Sequence, residues 1–506
     1  MHARLVVHNA SCVVDLEREQ DPEILRQAAR LLEAENRRLI QRVMELTTAL
    51  LAAQGKDRVA LQLEIESLQV ELSKKNRMLF DKSSERRGDT AEAESSAASK
   101  PKRGHGPRAQ EELRLVVETH ELDDADRTCT ACGGALEEMG QAEESEEIDV
   151  LAREFIRKKH VRKKYRCRCG ACIETAPMPP RLVPGGRYSL AFAISVAVAK
   201  YADHLPLERQ VRIMKREGLE VDSYTLYDQI ERLARVLWPA YDRLGAELLD
   251  EDVLFVDETR WPMLGQAAGS AKWHAWTMAS EKSAYYEIHD TRGLEAGKSL
   301  LTGFKGCAVT DGYAVYDALE KKLPGLRIVQ CWAHIRRKFV DCETAFPKET
   351  EEILALIREL YAIEDRPPKG RGGDVERLQL RTTESRCILA RIQAWCVRVP
   401  CTPGSGLADA IEYMSNRWSK AVRFLEDPRL PLDNNAAERA IRGLVLGRKN
   451  HYGSKSRRGT EVAAVFYTLI ESAKLAGVEP AAYLRRATEI ALAGGDPPLP
   501  HEAPRA

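Results

Sequence analysis

The chain has 506 residues, of which 44% are hydrophobic and 30% are charged, so we expect about two to four folded domains joined by solvated segments. Its 77 basic and 77 acidic residues balance, which means that any contact with nucleic acid must come from local basic patches. The N-terminus lacks the pattern of a signal peptide and the most apolar stretch is too short to span a bilayer, so we expect a cytoplasmic protein.

A heptad pattern of apolar residues predicts a long helix and a coiled coil over residues 22–80. Leucines recur at every seventh position from Leu25 to Leu46, and Asn36 occupies an a position, where a buried amide fixes the register of parallel two-stranded coils. The alternative is a monomeric amphipathic helix that folds back on the body of the protein. Residues 81–112 have little to bury and are predicted to form a linker, whose basic end either touches DNA or is merely solvated.

Two groups of closely spaced cysteines predict a structural zinc ribbon within residues 113–180. Cys129 and Cys132 form the first pair, and Cys169 and Cys172 form the second, with Cys167 as an alternative ligand. A two-residue spacer lets one tight turn supply two thiolates to a tetrahedral ion, and four sulfur ligands leave no open position for chemistry. Unliganded surface cysteines are the alternative.

A basic, strand-like stretch between the two cysteine groups is a candidate DNA contact, since it would neutralise phosphates. The residues concerned are Arg157, Lys158, Lys159, Arg162, Lys163 and Lys164. A solvated charged face is the alternative.

Residues 181–250 are then predicted to be helical, with a helix-turn-helix outline in which a turn at Gly218 is followed by Ser223 as the N-cap of the second helix.

From residue 251 the pattern changes to short strands, and two of them end in an aspartate. The apolar run before Asp257 is followed by two antiparallel strands, at 272–280 and 284–290, and then by a helix and a second apolar run before Asp311. A further helix and a fifth strand complete the order of a ribonuclease-H-like fold, in which the first and fourth strands lie side by side. Asp257 and Asp311 would then face each other. A strand-end cap or turn residue is the alternative for each.

Carboxylates gathered in one cleft raise one another's pKa, so the pair predicts a bound cation. Mg²⁺ or Mn²⁺ suits hard oxygen ligands with open coordination, and two ions about 4 Å apart stabilise the attacking and leaving oxygens of a phosphoryl transfer. Glu438 is the predicted third carboxylate, in the first turns of a helix capped by Asp433 or Asn434. Further DNA contacts are predicted on this helix at Arg439, Arg442, Arg448 and Lys449. An exposed amphipathic helix with ordinary ion pairs is the alternative.

These motifs resemble those of the large transposase of the IS66 family of bacterial insertion sequences, over nearly the whole chain. The matching stretches are Lys200-Tyr-Ala-Asp-His-Leu-Pro-Leu, Val256-Asp-Glu-Thr, Thr310-Asp-Gly-Tyr, Cys331-Trp-Ala-His-Ile-Arg-Arg-Lys-Phe and Asp433-Asn-Asn-Ala-Ala-Glu-Arg-Ala-Ile-Arg. The resemblance implies an α+β multidomain protein: coiled coil, zinc ribbon, helical DNA-binding region and a ribonuclease-H-like core. The core is expected at 251–345 and 429–490, interrupted by a helical insertion at 346–428 that packs on the transposon end, with a tail at 491–506.

The resemblance also implies an activity. An Asp-Asp-Glu triad at Asp257, Asp311 and Glu438 would bind two Mg²⁺ or Mn²⁺ ions, cut DNA at the terminal inverted repeats and join the freed 3′-hydroxyl to target DNA. Cys331 and His334 would help to build or orient the active site or the DNA end. A dimer or larger assembly, small accessory proteins of the same element and a location at the bacterial nucleoid are expected. The rival hypotheses are a nuclease for RNA hybrids or DNA junctions, and a DNA-binding regulator with a decayed core.

Overall fold

The computed structural model of the protein describes residues 153–166, 168, 172–265 and 272–504, together with scattered residues before them at 6–9, 12–15, parts of 38–46 and 64–68, 117 and 148. The chain divides into a large unit, Met1–Asp81 with Phe155–Ala506, and a small unit, Lys82–Glu154. The large unit combines α-helices with a mixed β-sheet.

The described residues near the N-terminus form a hairpin and helical segments. Strands β1 (Val6–Asn9) and β2 (Cys12–Asp15) pair in antiparallel orientation. The described residues of 38–46 and 64–68 are helical, and Arg42 donates to Glu64 at 3.2 Å although the two are 22 positions apart. One straight helix would separate such residues by about 33 Å. The two segments therefore lie side by side, which a single straight helix over residues 22–80 does not allow; the rest of that range and the linker at 81–112 lie outside the described residues.

The centre of the large unit is a five-stranded mixed sheet. Strand β5 (Val253–Arg260) pairs antiparallel with β6 (His274–Ala279), and β6 pairs antiparallel with β7 (Ala284–His289). On its other side β5 pairs in parallel with β8 (Cys307–Thr310), which pairs in parallel with β9 (Arg327–Gln330). The strand order is β7-β6-β5-β8-β9, so the first and fourth strands are neighbours.

Side chains of these strands alternate between two hydrophobic cores. Leu254 and Val256 of β5 join one core together with Ala308 of β8, whereas Val309 of β8 and Val329 of β9 join the other. Apolar residues at consecutive positions are typical of a sheet that is covered on both faces. The ends of such strands are where polar side chains can gather.

Helices surround the sheet, and a separate short hairpin is formed by β3 (Lys164–Arg166) and β4 (Ile173–Thr175). In chain order the helices are α1 (Leu190–Tyr201), α2 (Leu207–Arg216), α3 (Ser223–Leu248), α4 (Leu294–Leu301), α5 (Ala314–Lys322), α6 (Trp332–Asp341), α7 (Pro347–Glu364), α8 (Asp374–Leu380), α9 (Arg386–Arg398), α10 (Gly406–Ser415), α11 (Trp418–Ala421), α12 (Asn435–His451), α13 (Arg457–Ala476) and α14 (Pro480–Leu492). A π-helical turn, Arg381–Ser385, joins α8 to α9, and short 3₁₀ turns lie at Arg371–Gly373, Arg423–Leu425 and Pro500–Glu502. None of the helices in the described part of the chain is long and apolar enough to cross a membrane.

The start of α3 differs from the predicted N-cap. Asp222 occupies the cap, because its carboxylate accepts a hydrogen bond from the backbone N–H of Thr225 at 2.6 Å. The hydroxyl of Ser223 donates instead to Glu208 of α2 at 2.5 Å. Helix α3 also continues through Pro239, and its buried face belongs to the first core. The predicted helix pair therefore exists, with a second helix that supports the sheet.

Helices α7 to α11 lie in the range 346–428 that the sequence predicts as a helical insertion, here called the insertion, and they bury their own apolar side chains in the second core. Ile357 and Ile392 are fully buried there with Trp332 and Phe339 of α6. The indole N–H of Trp332 donates to the carbonyl of Ala421 in α11 at 2.8 Å. The insertion thus packs directly on the core, next to the end of β8 and β9.

Candidate functional site

Two aspartates lie just beyond the stretch over which the parallel strands β5 and β8 pair, which runs to Phe255 and Val309. Asp257 belongs to β5, and Asp311 follows the last residue of β8. One carboxylate oxygen from each lies within 4.8 Å of the other and of a carboxylate oxygen of Glu258. Among the described residues, these three side chains form the group that could hold a metal ion.

The electrostatics of this group favour a cation. Burial raises the pKa of Asp257 well above its ordinary value, and the charges of Glu258, Asp311 and Glu438 raise that pKa further. The backbone N–H of Glu258 opposes this by donating to Oδ1 of Asp257 at 2.8 Å. A divalent ion would offset the mutual repulsion. Buried polar atoms of the same region that lack a hydrogen-bond partner among the described residues are Thr277 Oγ1, Thr310 Oγ1, His334 Nδ1 and Asn434 Oδ1.

Glu258 was not predicted from the sequence as a site residue. Its side chain is fully buried, and Arg292 donates to Oε1 from Nε and Nη2 at 2.9 and 2.5 Å. The Tyr316 hydroxyl donates to Oε2 at 2.5 Å. Burial and the charge of Asp311 raise the pKa of Glu258, whereas these donors lower it. The sequence did contain a signal for Glu258: in β5 every second side chain is buried, and this acidic residue follows Leu254 and Val256 in that pattern.

Glu438 lies in the first turn of α12, close to the group but not part of it. Its charge acts on Asp257, and its Oε1 is 3.8 Å from Nε2 of His334. About a third of its side chain is exposed (36%), which leaves the carboxylate accessible from outside. The third predicted carboxylate therefore lies outside the group of three, where its charge still raises the pKa of Asp257.

The segment that leads into α12 is fixed to β5 and α6. Asn434 is fully buried, and its side-chain N–H₂ donates to the carbonyl of Val256 at 2.9 Å. The backbone N–H of Asn434 donates to Sγ of Cys331 at 3.2 Å. The backbone N–H of Trp332 donates to the carbonyl of Leu432 at 2.7 Å. Asn434 thus occupies the N-cap position but uses its side chain to tie the helix to the strand that carries Asp257.

The Cys331-x-x-His334 motif connects the strand after which Asp311 lies to the helix of Glu438. The backbone N–H of Cys331 donates to the carbonyl of Thr310 at 3.0 Å, and burial raises the pKa of its thiol to about 12. Burial lowers the pKa of His334, and the charges of Asp311 and Glu438 oppose that effect. Cys331 is therefore a neutral hydrogen-bond acceptor, and His334 faces the carboxylates.

The predicted zinc ligands Cys129, Cys132, Cys167 and Cys169 lie outside the described residues. Cys172 is exposed, and its Sγ lies 3.6 Å from Oε1 of Glu174.

The predicted DNA contacts occupy two surfaces. Those in the chain before β3 and at its first residue are exposed, namely Arg157, Lys158, Lys159, Arg162, Lys163 and Lys164. On α12, Arg439, Arg442 and Lys449 are also exposed. Arg448 is half-buried instead: it donates to Oγ1 of Thr259 at 2.9 Å and to the carbonyl of Arg260. Its guanidinium therefore binds β5.

Comparison with known proteins places this chain in a family. A family model described as "Transposase IS66 family" matches residues 185–462, and one described as "zinc-finger binding domain of transposase IS66" matches residues 126–170. The uncharacterized protein y4jD of Sinorhizobium fredii (strain NBRC 101917 / NGR234) is 32% identical over 393 residues, which are 74% of this chain and 76% of that protein. The uncharacterized protein y4qI of the same strain is 31% identical over 420 residues, 78% of this chain and 76% of the relative. The resemblance predicted from the sequence is confirmed, and the chain belongs to the IS66 family of transposases.

Proposed function

We propose that this transposase cuts and joins DNA at an Asp-Asp-Glu site formed by Asp257, Asp311 and Glu438. The main support is that carboxylate oxygens of Asp257 and Asp311 lie within 4.8 Å of each other at adjacent parallel strands. The strand order, with three antiparallel strands and the first beside the fourth, supports assignment of a ribonuclease-H-like core. The tie between Asn434 and β5 supports Glu438 as the third member.

The proposed cofactor is Mg²⁺ or Mn²⁺, with two ions per site. Asp257 and Asp311 would bind both ions, and Glu438 would complete the ligand shell of one; carboxylate oxygens are the ligands that these ions prefer. When bound, the ions supply an activated water and stabilise the attacking and leaving oxygens of the phosphoryl transfer. Asp257 must lose its proton to serve as a ligand. Arg292 and Tyr316 donate hydrogen bonds to Glu258, the neighbour of Asp257 in β5.

The proposed DNA partners are the terminal inverted repeats and the target. Support comes from exposed basic residues on two surfaces, and the side chains concerned are Arg157, Lys158, Lys159, Arg162, Lys163, Lys164, Arg439, Arg442 and Lys449. Arg448 is better explained as a tie between α12 and β5, because its guanidinium already binds Thr259. Charge-neutralising substitutions on either surface should weaken repeat binding and reduce its salt dependence.

The proposed zinc site is structural, with Cys129, Cys132, Cys169 and Cys172 as ligands and Cys167 as an alternative. The zinc-finger match to residues 126–170 supports a zinc site in this part of the chain. Metal analysis of Cys167→Ser and Cys172→Ser tests which cysteine is the ligand. We expect loss of zinc from Cys172→Ser, and loss from Cys167→Ser alone would make Cys167 the ligand instead.

Self-association through residues 22–80, small accessory proteins of the same element and a nucleoid location remain part of the proposal. Sedimentation of the purified chain, with and without its first 81 residues, measures the contribution of this segment to assembly. If both proteins sediment as monomers, self-association through residues 22–80 is contradicted.

A strand-transfer assay with labelled terminal repeats and Mg²⁺ tests the central proposal. Asp311→Asn should bind the repeats but neither cut nor join them, whereas Asp290→Asn, at an exposed position just after β7, should behave as wild type. A nuclease would cut hybrids or junctions without joining, and a regulator would bind without cutting. Wild-type joining by Asp311→Asn would refute the assignment.

A further inference from the structure

Two side chains of the helical insertion bind the turn that carries Asp311. The hydroxyl of Tyr413 in α10 donates to the carbonyl of Asp311 at 2.6 Å. Arg417, just after α10, donates from Nε and Nη2 to the carbonyl of Gly312 at 3.2 and 2.9 Å. The guanidinium also lies 4.0 Å from the centre of the Tyr413 ring, so the two residues support each other. Two successive backbone carbonyls of the turn therefore accept hydrogen bonds from side chains of the insertion.

The turn itself has little freedom to move away from these donors. Gly312 adopts a φ of +85°, a left-handed conformation that favours glycine. A Cβ atom there would lie 2.5 Å from Oε1 of Gln330, 2.6 Å from Nε of Arg417 and 2.9 Å from the hydroxyl of Tyr413. Within the turn, the backbone N–H of Tyr313 donates to Oδ1 of Asp311 at 2.9 Å. The carboxylate is thus fixed to a turn whose position depends on Tyr413 and Arg417.

The insertion is also anchored to α5 and β9, the elements that follow this turn in the chain, which helps to fix the position of the two donors. Lys420 of α11 pairs with Glu320 of α5 at 3.2 Å. Arg423 pairs with the same carboxylate and donates to the carbonyl of Ile328 in β9 at 2.6 Å. These partly buried contacts link the insertion to α5 and β9, the helix and the strand that follow Asp311 in the chain.

We propose that Tyr413 and Arg417 are positioning residues for the active site. They determine where Asp311 presents its oxygen atoms to a divalent ion, although neither contacts the carboxylate itself. This inference rests on the proposed function, because it takes Asp311 to be a metal ligand. It gives the insertion a role in forming the metal site, separate from any contact with the transposon end.

The test compares metal dependence in conservative variants. Tyr413→Phe removes only the hydroxyl, and Arg417→Lys keeps the charge but loses the paired donors. Arg391→Lys is the matched control, since Arg391 forms an exposed pair with Glu359 on the surface of the insertion. Initial strand-transfer rates are measured across a Mn²⁺ titration, and repeat binding is measured separately without Mn²⁺. Loss of such outer contacts typically costs about 10- to 100-fold in metal affinity or activity.

We expect both variants to need at least about 10-fold more Mn²⁺ for half-maximal rate, with recovery at saturating Mn²⁺ and unchanged repeat binding. Wild-type metal dependence in both variants would overturn the inference, and so would a lower maximal rate at an unchanged Mn²⁺ requirement. Asp311→Asn in the same assay separates the two proposals. If it is inactive while the two variants retain wild-type dependence, only the positioning role fails. If it joins strands as wild type does, the proposed function fails as well.

Discussion

Grouping the carboxylates of the site lowers the stability of the fold, and Asp257→Asn measures this cost. Oxygen atoms of Asp257, Glu258 and Asp311 lie within 4.8 Å of one another. Two unit charges at that separation repel each other by about 3.5 kcal/mol at an effective dielectric constant of about 20. The N–H of Glu258 offsets part of the repulsion at Asp257. We expect the substitution to raise the free energy of unfolding by about 1–3 kcal/mol at pH 8 with chelator present.

Linkage fixes how this gain depends on pH. Because the pKa of Asp257 is raised in the folded protein, its contribution to stability is fully present below its ordinary pKa of 3.8 and is lost as the pH rises through the folded-state pKa. The difference between variant and wild type should therefore be small near about pH 4 and grow toward pH 8. Excess Mg²⁺ at pH 8 should reduce the difference in free energy of unfolding between variant and wild type, because ion binding stabilises the wild type more than the variant.

Urea unfolding followed by tryptophan fluorescence, at both pH values and with and without Mg²⁺, measures these differences. Asp290→Asn is the matched control, since this exposed aspartate lies outside the carboxylate group. The reasoning fails if Asp257→Asn is no more stable than wild type at pH 8. It also fails if the gain is equally large near about pH 4, where the wild-type carboxyl group carries a proton.

Two further substitutions test the support around the site. Gly312→Ala should abolish strand transfer, because a left-handed conformation costs a residue with a side chain about 1–2 kcal/mol and the new Cβ would displace its neighbours. The control is Gly370→Ala, at a φ of +76° with open space around it, which should keep strand-transfer activity. Equal activities of the two variants would contradict the steric argument. Arg381→Met should lower the free energy of unfolding in urea by about 3 kcal/mol or more, because Glu364 and three backbone carbonyls lose a buried partner. The exposed Arg391→Met is its control, and similar losses from both would refute this account.

The strands could be predicted because their signals are local, and the approach of the two aspartates followed from the order of a ribonuclease-H-like fold, in which the first and fourth strands are neighbours. An apolar run followed by a carboxylate indicates a buried strand, and this pattern occurs at Asp257 and again at Asp311. Strand β8 ends just before Asp311, whereas β5 continues past Asp257 to Arg260. Parallel pairing of β5 and β8 brings the two aspartates together. The predicted strand limits at 272–280 and 284–290 differ from the observed ones by two residues or fewer at each end.

Contacts between distant segments left no comparable signal. Tyr413 binds a carbonyl 102 positions away, and a tyrosine in an amphipathic helix has no periodicity that would indicate such a partner. At α3, Asp222 and Ser223 are both suitable N-caps, and the choice between them depends on Glu208 of the preceding helix. A heptad pattern likewise describes which side chains of a helix pack, but the packing partner can belong to the same chain or another one.

Cys331 illustrates why the spacing of a Cys-x-x-His motif is insufficient to assign a metal. Its buried thiol accepts a hydrogen bond from the backbone N–H of Asn434 at 3.2 Å, and Asn434 holds the start of α12 against Val256. Cys331→Ser should therefore retain most strand-transfer activity, because the hydroxyl is also an acceptor. Cys331→Ala should lower activity and stability, since an unpaired buried N–H costs about 1–3 kcal/mol. Zinc content should be that of the wild type in both variants; a loss of zinc in both would make the thiol a ligand and refute this account.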